Sequence, residues 1–148
     1  MIESIFHINV NCSDFARSME FYAKLGFKVV RDLEVVGNQQ LSEGLRIPNC
    51  SGRAALLMLG DNPRATRLDL IEWLHPKTGG TTYPNLWNAG ICRIALRTRD
   101  LRKDCEKLTA QGIEFWTEPR FFNVREGREE GFVCCSDPDG TVIELIQL

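Results

Sequence analysis

Four side chains stand where strand chemistry could gather. His7 lies in the alternating stretch Ile5 to Asn11, on the face of Ile5, Asn9 and Asn11, opposite Phe6, Ile8 and Val10. An imidazole there is a candidate metal ligand or a structural histidine. Glu72 sits between Ile71 and Trp73, and Glu144 between Ile143 and Leu145. A carboxylate in such an apolar string is a ligand, the partner of a cation, or a solvent-side residue. Arg93 and Arg97 are four residues apart and share a strand face, where two guanidinium groups suit a carboxylate or phosphate on a ligand. Surface charge is the plainer reading of the same pair.

The elements that position these residues form an internal repeat. His7, Asp14, Phe15, Met19, Tyr22 and Gly26 each have a counterpart 86 residues on, at Arg93, Asp100, Leu101, Cys105, Leu108 and Gly112. Asp14 and Asp100 are helix N-caps. Phe15, Met19 and Tyr22 form one helical stripe, and Gly26 ends the helix in a left-handed conformation. The ends of the halves rhyme as well: Leu68-Asp-Leu-Ile-Glu72-Trp matches Gly140-Thr-Val-Ile-Glu144-Leu at an offset of 72. The first half then carries about fourteen extra residues (86 − 72), in 37–52 or 60–67. Asp137-Pro-Asp-Gly140 reads as a tight turn before the last strand. The order is βαβββ, a linker, and βαβββ. This is an α+β domain of two small mixed sheets with helices outside, covering about 1–75 and 90–148 around a linker at 76–89.

Composition bounds the function. With 148 residues the chain is one domain or two modules. A net charge of −2 argues against a sequence-independent nucleic-acid binder. The longest apolar run, Ala54 to Leu59, is too short to span a bilayer, and no signal peptide is evident at the N-terminus. Six cysteines, none in a C-x-x-C pair and several in apolar strings, read as buried reduced thiols and a cytoplasmic location. Trp73, Trp87, Trp116, Phe121 and Phe122 line an apolar cavity or fill the core. The charged segment Arg125 to Gly131 reads as an exposed hairpin loop.

The opening His7 to Asp14, the run Glu20-Phe21-Tyr22 to Leu25-Gly26-Phe27, and the close Asp137-Pro-Asp-Gly140-x-x-x-Glu144-Leu resemble the vicinal-oxygen-chelate superfamily. Its members include glyoxalase I, bleomycin-resistance proteins, methylmalonyl-CoA epimerase and extradiol dioxygenases. The resemblance implies a cup-shaped, eight-stranded mixed sheet around a divalent metal that chelates adjacent substrate oxygens. It places ligands at His7, Glu72 and Glu144, with Ni, Zn, Mn, Fe or Mg as candidate ions. It puts the fourth ligand at Arg93, which is always protonated and cannot ligate. A guanidinium paired with Glu72 or Glu144 would fill the metal position instead.

The implied activity is that of a lyase or isomerase on a small α-oxygenated substrate. Glu144 or Glu72 moves the proton, and Arg93, Asn9 and Arg97 contact the substrate. The alternative is a metal-free small-molecule binding or resistance protein. A dioxygenase ranks third, because that branch needs the histidine that Arg93 replaces. A small-molecule ligand and a homodimer are implied, with neither nucleic acid nor membrane as partner.

Overall fold

The computed structural model describes residues 1–35, 37–123 and 129–148. Two compact units divide the chain, Met1–Gly80 and Thr81–Leu148. The first contains β1 (His7–Asn11), α1 (Phe15–Lys24), β2 (Phe27–Val35), α2 (Gln39–Leu45), β3 (Ser51–Leu59) and β4 (Arg67–His75). The second contains β5 (Arg93–Thr98), α3 (Leu101–Ala110), β6 (Arg120–Asn123), β7 (Glu129–Ser136) and β8 (Val142–Gln147).

Among the described residues the eight strands form two four-stranded sheets, ordered β1-β4-β3-β2 and β5-β8-β7-β6. Each is mixed. The first strand of each unit runs parallel to the last, and the other neighbours are antiparallel. A parallel pair cannot be closed by a hairpin, so α1 and α3 lie within the crossovers that join the paired strands.

Local chemistry explains the helices. The Asp14 side chain accepts from the N–H of Arg17, and the Asp100 side chain from that of Lys103. Gly26 and Gly112 follow with φ of +95° and +85°, a region open to glycine at little cost. The buried stripe of α1 is Phe15, Ser18, Phe21 and Tyr22 rather than Phe15, Met19 and Tyr22. Serine holds the core position, and Met19 is only half-buried. In α3 the buried residues are Leu101, Cys105 and Leu108.

The helix-facing cores are built on alternate strand residues, Leu68 and Leu70 in β4 and Ile143 and Leu145 in β8. Helix α2 arises in a polar stretch without an apolar stripe. Asn38 caps it, its side chain accepting from Leu41 N–H, and none of its residues is buried. The segment expected as a hairpin loop begins at Arg125. Residues 125–128 lie outside the described residues, and 129–131 already belong to β7.

Asp137 accepts from Gly140 N–H through its carbonyl, and from Asp139 and Thr141 N–H through Oδ1. This closes the expected turn before β8. All six cysteines are free, five of them buried. Burial pushes the Cys135 thiol up to about 12 and that of Cys105 up to about 11. Among the described residues no helix is long and apolar enough to cross a membrane.

Candidate functional site

In the second unit, β5 and β8 run parallel with Ala95 opposite Glu144 and Arg93 opposite Val142. Arg93, Ala95 and Arg97 therefore share a face with Val142, Glu144 and Ile146, away from Ile94 and Leu96. On this face Arg93 Nε is ion-paired with Glu144 Oε2. The Glu144 side chain is 7% exposed and that of Arg93 48%. A carboxylate this buried requires a partner, and a guanidinium reaching in from solvent supplies one at low desolvation cost to itself. Cys134 lies opposite Glu144 on β7. Its thiol is pushed up by burial and then by the Glu144 charge, with Arg93 opposing.

An open depression of about 640 Å³ reaches this ion pair, bounded by Leu86, Trp87, Ile91, Arg93, Glu144 and Ile146. Arg97 lies on the same strand face, but among the described residues its Nη2 makes only a long 3.4 Å contact with the Leu148 carbonyl.

In the first unit, Asn9 lies opposite Asp69. The Asn9 amide donates to the Asp69 carbonyl at 3.1 Å. His7 Nε2 stands 3.8 Å from Asp69 Oδ2, whose side chain is 13% exposed. Among the described residues Asp69 Oδ1 is buried without a hydrogen-bond partner. Burial raises the Asp69 pKa above 3.8, opposed by the charge of His7 and a hydrogen bond from Asn9.

Glu72 lies three residues beyond Asp69, on the opposite face of β4. Its Oε2 accepts from Phe15 N–H at 3.1 Å, an unpaired donor at the start of α1. Gln147 does the same in the second unit, accepting from Leu101 N–H at 2.8 Å. The strand registers give the same correspondence, with Arg67 opposite His7 and Val142 opposite Arg93. The offset between last strands is thus 75 (144 − 69), not 72, and the first unit carries eleven extra residues (86 − 75) rather than fourteen. The counterpart of Glu144 is Asp69, and that of Glu72 is Gln147. Sequence comparison missed Asp69 because the shared Ile-Glu pair drew the alignment. The signal that finds it is the triplet of apolar, acidic and apolar residues, Leu68-Asp69-Leu70 against Ile143-Glu144-Leu145.

A divalent metal of the kind the family resemblance implies can be tested against these donors. The first unit offers an imidazole and a carboxylate with a free oxygen, a suitable pair. The second offers one carboxylate, already neutralised by Arg93. A cation on Glu144 would face the guanidinium at a cost on the order of 4 kcal/mol per unit-charge pair at 4 Å. The second unit does not fit a divalent metal while Arg93 holds this position.

The aromatic residues divide. Trp73 and Trp116 anchor their indole N–H groups, to Asn11 Oδ1 and Ser136 Oγ respectively, each at 3.0 Å. The Arg102 guanidinium of α3 lies 3.9 Å from the Phe121 ring centroid. Phe122 pairs with Phe132 at 6.2 Å. Trp87 borders the depression over Arg93 and Glu144.

Over residues 4–145 the chain matches the family model described as Glyoxalase/Bleomycin resistance protein/Dioxygenase superfamily. YwkD of Bacillus subtilis (strain 168), an uncharacterized protein, is 30% identical over 151 residues, spanning 99% of this chain and 98% of that one. A glyoxalase family protein from Bacillus cereus superposes with a TM-score of 0.82 at 16% identity, over 99% of this chain and 95% of its own; at that identity the likeness is one of fold. TnmS3, an antibiotic binding protein from Streptomyces sp. CB03234, is 26% identical over 99% of this chain and 96% of its own, with a TM-score of 0.62. The repeated βαβββ order, the paired acidic positions at Asp69 and Glu144, and a match across nearly the whole length agree: the chain belongs to the glyoxalase, bleomycin-resistance and dioxygenase superfamily.

Proposed function

We propose that this chain acts on a small α-oxygenated anion as a lyase or isomerase of the glyoxalase and epimerase type, with the Arg93 guanidinium doing the charge work of a metal. The observation that carries the reading is the Arg93–Glu144 ion pair. Glu144 is the one partner of Arg93 among the described residues, and nearly half of the arginine stays exposed. A planar guanidinium can hold two adjacent oxygens of a substrate. Glu144 then takes the proton from the carbon next to the carbonyl. The C–H electron pair becomes the C=C bond of an enediolate, and its oxygen charge rests against Arg93. The C=C pair then takes the proton back at the neighbouring carbon, while the first carbon's hydroxyl gives its proton to the charged oxygen and becomes the new carbonyl, which completes an isomerisation.

A second reading is sequestration without turnover. It is favoured by the ion pair itself, in which the Glu144 carboxylate is already engaged, and by the likeness to an antibiotic binding protein.

The test uses chelator-treated protein with small 2-oxo and 2-hydroxy carboxylates. Titration calorimetry should show binding that Arg93→Met removes. NMR in deuterated water should show exchange of the proton next to the carbonyl, lost in Glu144→Gln. Binding without exchange selects sequestration. No binding by any of these anions overturns the proposal.

A further inference from the structure

The depression beside the Arg93–Glu144 pair has a second, unlike wall. Trp87 is 83% exposed and Ile91 74%, and both border the same space as Arg93 and Glu144. Single exposed apolar side chains are ordinary on a protein surface. Here two large ones rise beside one accessible cation, in a space of about 640 Å³, the size of small-ligand sites. The other tryptophans, Trp73 and Trp116, have their indole N–H groups engaged by side chains, whereas Trp87 has no partner among the described residues.

We infer that the ligand taken at Arg93 is an aromatic carboxylate, its carboxylate on the guanidinium and its ring against Trp87 and Ile91. This rests on the anion reading above and adds the chemical class of the ligand. The guanidinium accepts a carboxylate edge-on in one plane, which fixes the direction of the attached group. An indole face rewards a flat π-system in offset stacking over a puckered saturated ring of equal size. Burial of the ring also withdraws Ile91 and Trp87 from water, a gain that a small aliphatic anion cannot provide.

Phenylglyoxylate and cyclohexylglyoxylate share the 2-oxo carboxylate and differ in the ring. Titration calorimetry on the whole protein should show phenylglyoxylate bound about three- to tenfold more tightly. Trp87→Ala should bring the ratio near one, and Trp87→Phe should keep most of it. Arg93→Met should weaken both ligands together. Equal affinities in the natural protein, both dependent on Arg93, overturn the aromatic inference and leave the anion reading standing. No binding of either ligand overturns both. Tryptophan fluorescence that depends on protein concentration and on Trp87, yet ignores phenylglyoxylate, would assign this wall to a second copy of the chain and overturn the inference.

Discussion

Asp69 in the first unit occupies the register position that Glu144 occupies in the second. Asp69 lies opposite Asn9, and Glu144 opposite Ala95, which is the residue 86 beyond Asn9. Each carboxylate faces the side chain two residues back on the parallel strand, His7 in one unit and Arg93 in the other. The repeat thus keeps an acidic residue beside a nitrogen base and varies the base. An imidazole can ligate a metal, whereas a guanidinium holds the position with a permanent charge.

Glu72 and Gln147 are expected to matter for helix anchoring and not for ligand binding. Removal of the acceptor by Glu72→Ala leaves the Phe15 N–H without its partner. It should lower unfolding free energy by about 1–2 kcal/mol, and Gln147→Ala should act similarly through Leu101. Denaturant unfolding measures the loss. Loss of ligand binding in a folded Glu72→Ala protein would return Glu72 to the site.

Asp69 should make stability fall as pH rises over a defined window. Below 3.8 the group is protonated in both folded and unfolded chains. From 3.8 up to its raised native pKa, the folded chain keeps a proton that the unfolded chain has lost, so folding weakens with rising pH and then levels off. Asp69→Asn has no proton to lose there, so its advantage over the natural protein should grow through that window. Denaturation curves at a series of pH values test this, and parallel pH profiles for the two proteins would contradict it.

Arg93→His should gain divalent-metal affinity. The change removes a fixed positive charge beside Glu144 and adds a neutral donor, so on the ~4 kcal/mol scale of one unit-charge pair at 4 Å the gain is about two to three orders of magnitude. Titration calorimetry with Ni, Zn and Mn compares the two proteins. Tight binding by the natural protein would show that Arg93 turns aside for a metal.

Gly140→Val should damage folding more than function. Gly140 has φ +94°, and an added Cβ would meet Thr82 Oγ1 at 2.7 Å. Left-handed strain and the displaced threonine together should lower stability by about 1–3 kcal/mol. An unchanged melting temperature would contradict this backbone assignment.

Much of the fold was legible because it rests on local signals. Asp14 and Asp100 carry their caps in their own side chains, Gly26 and Gly112 their stops, and Asp137 to Gly140 its turn. The 86-residue spacing of these signals exposed the repeat without any contact being known. The place of Arg93 opposite the last strand was legible too, through its match with His7. Whether its partner was Glu72 or Glu144 was not.

That choice depended on strand register, which local signals do not encode. The two candidate alignments of β4 on β8 differ by three residues, and an odd slip turns every side chain to the other face of the sheet. Helix α2 escaped notice for a related reason: with no buried residue, it has no apolar period to betray it. The sequence alone determined the repeat, the caps and an arginine where a ligand was expected. Only the tertiary structure decided that Glu144 binds this arginine while Glu72 holds a helix, because hydrogen bonding between strands distant in the chain sets which face each carboxylate occupies.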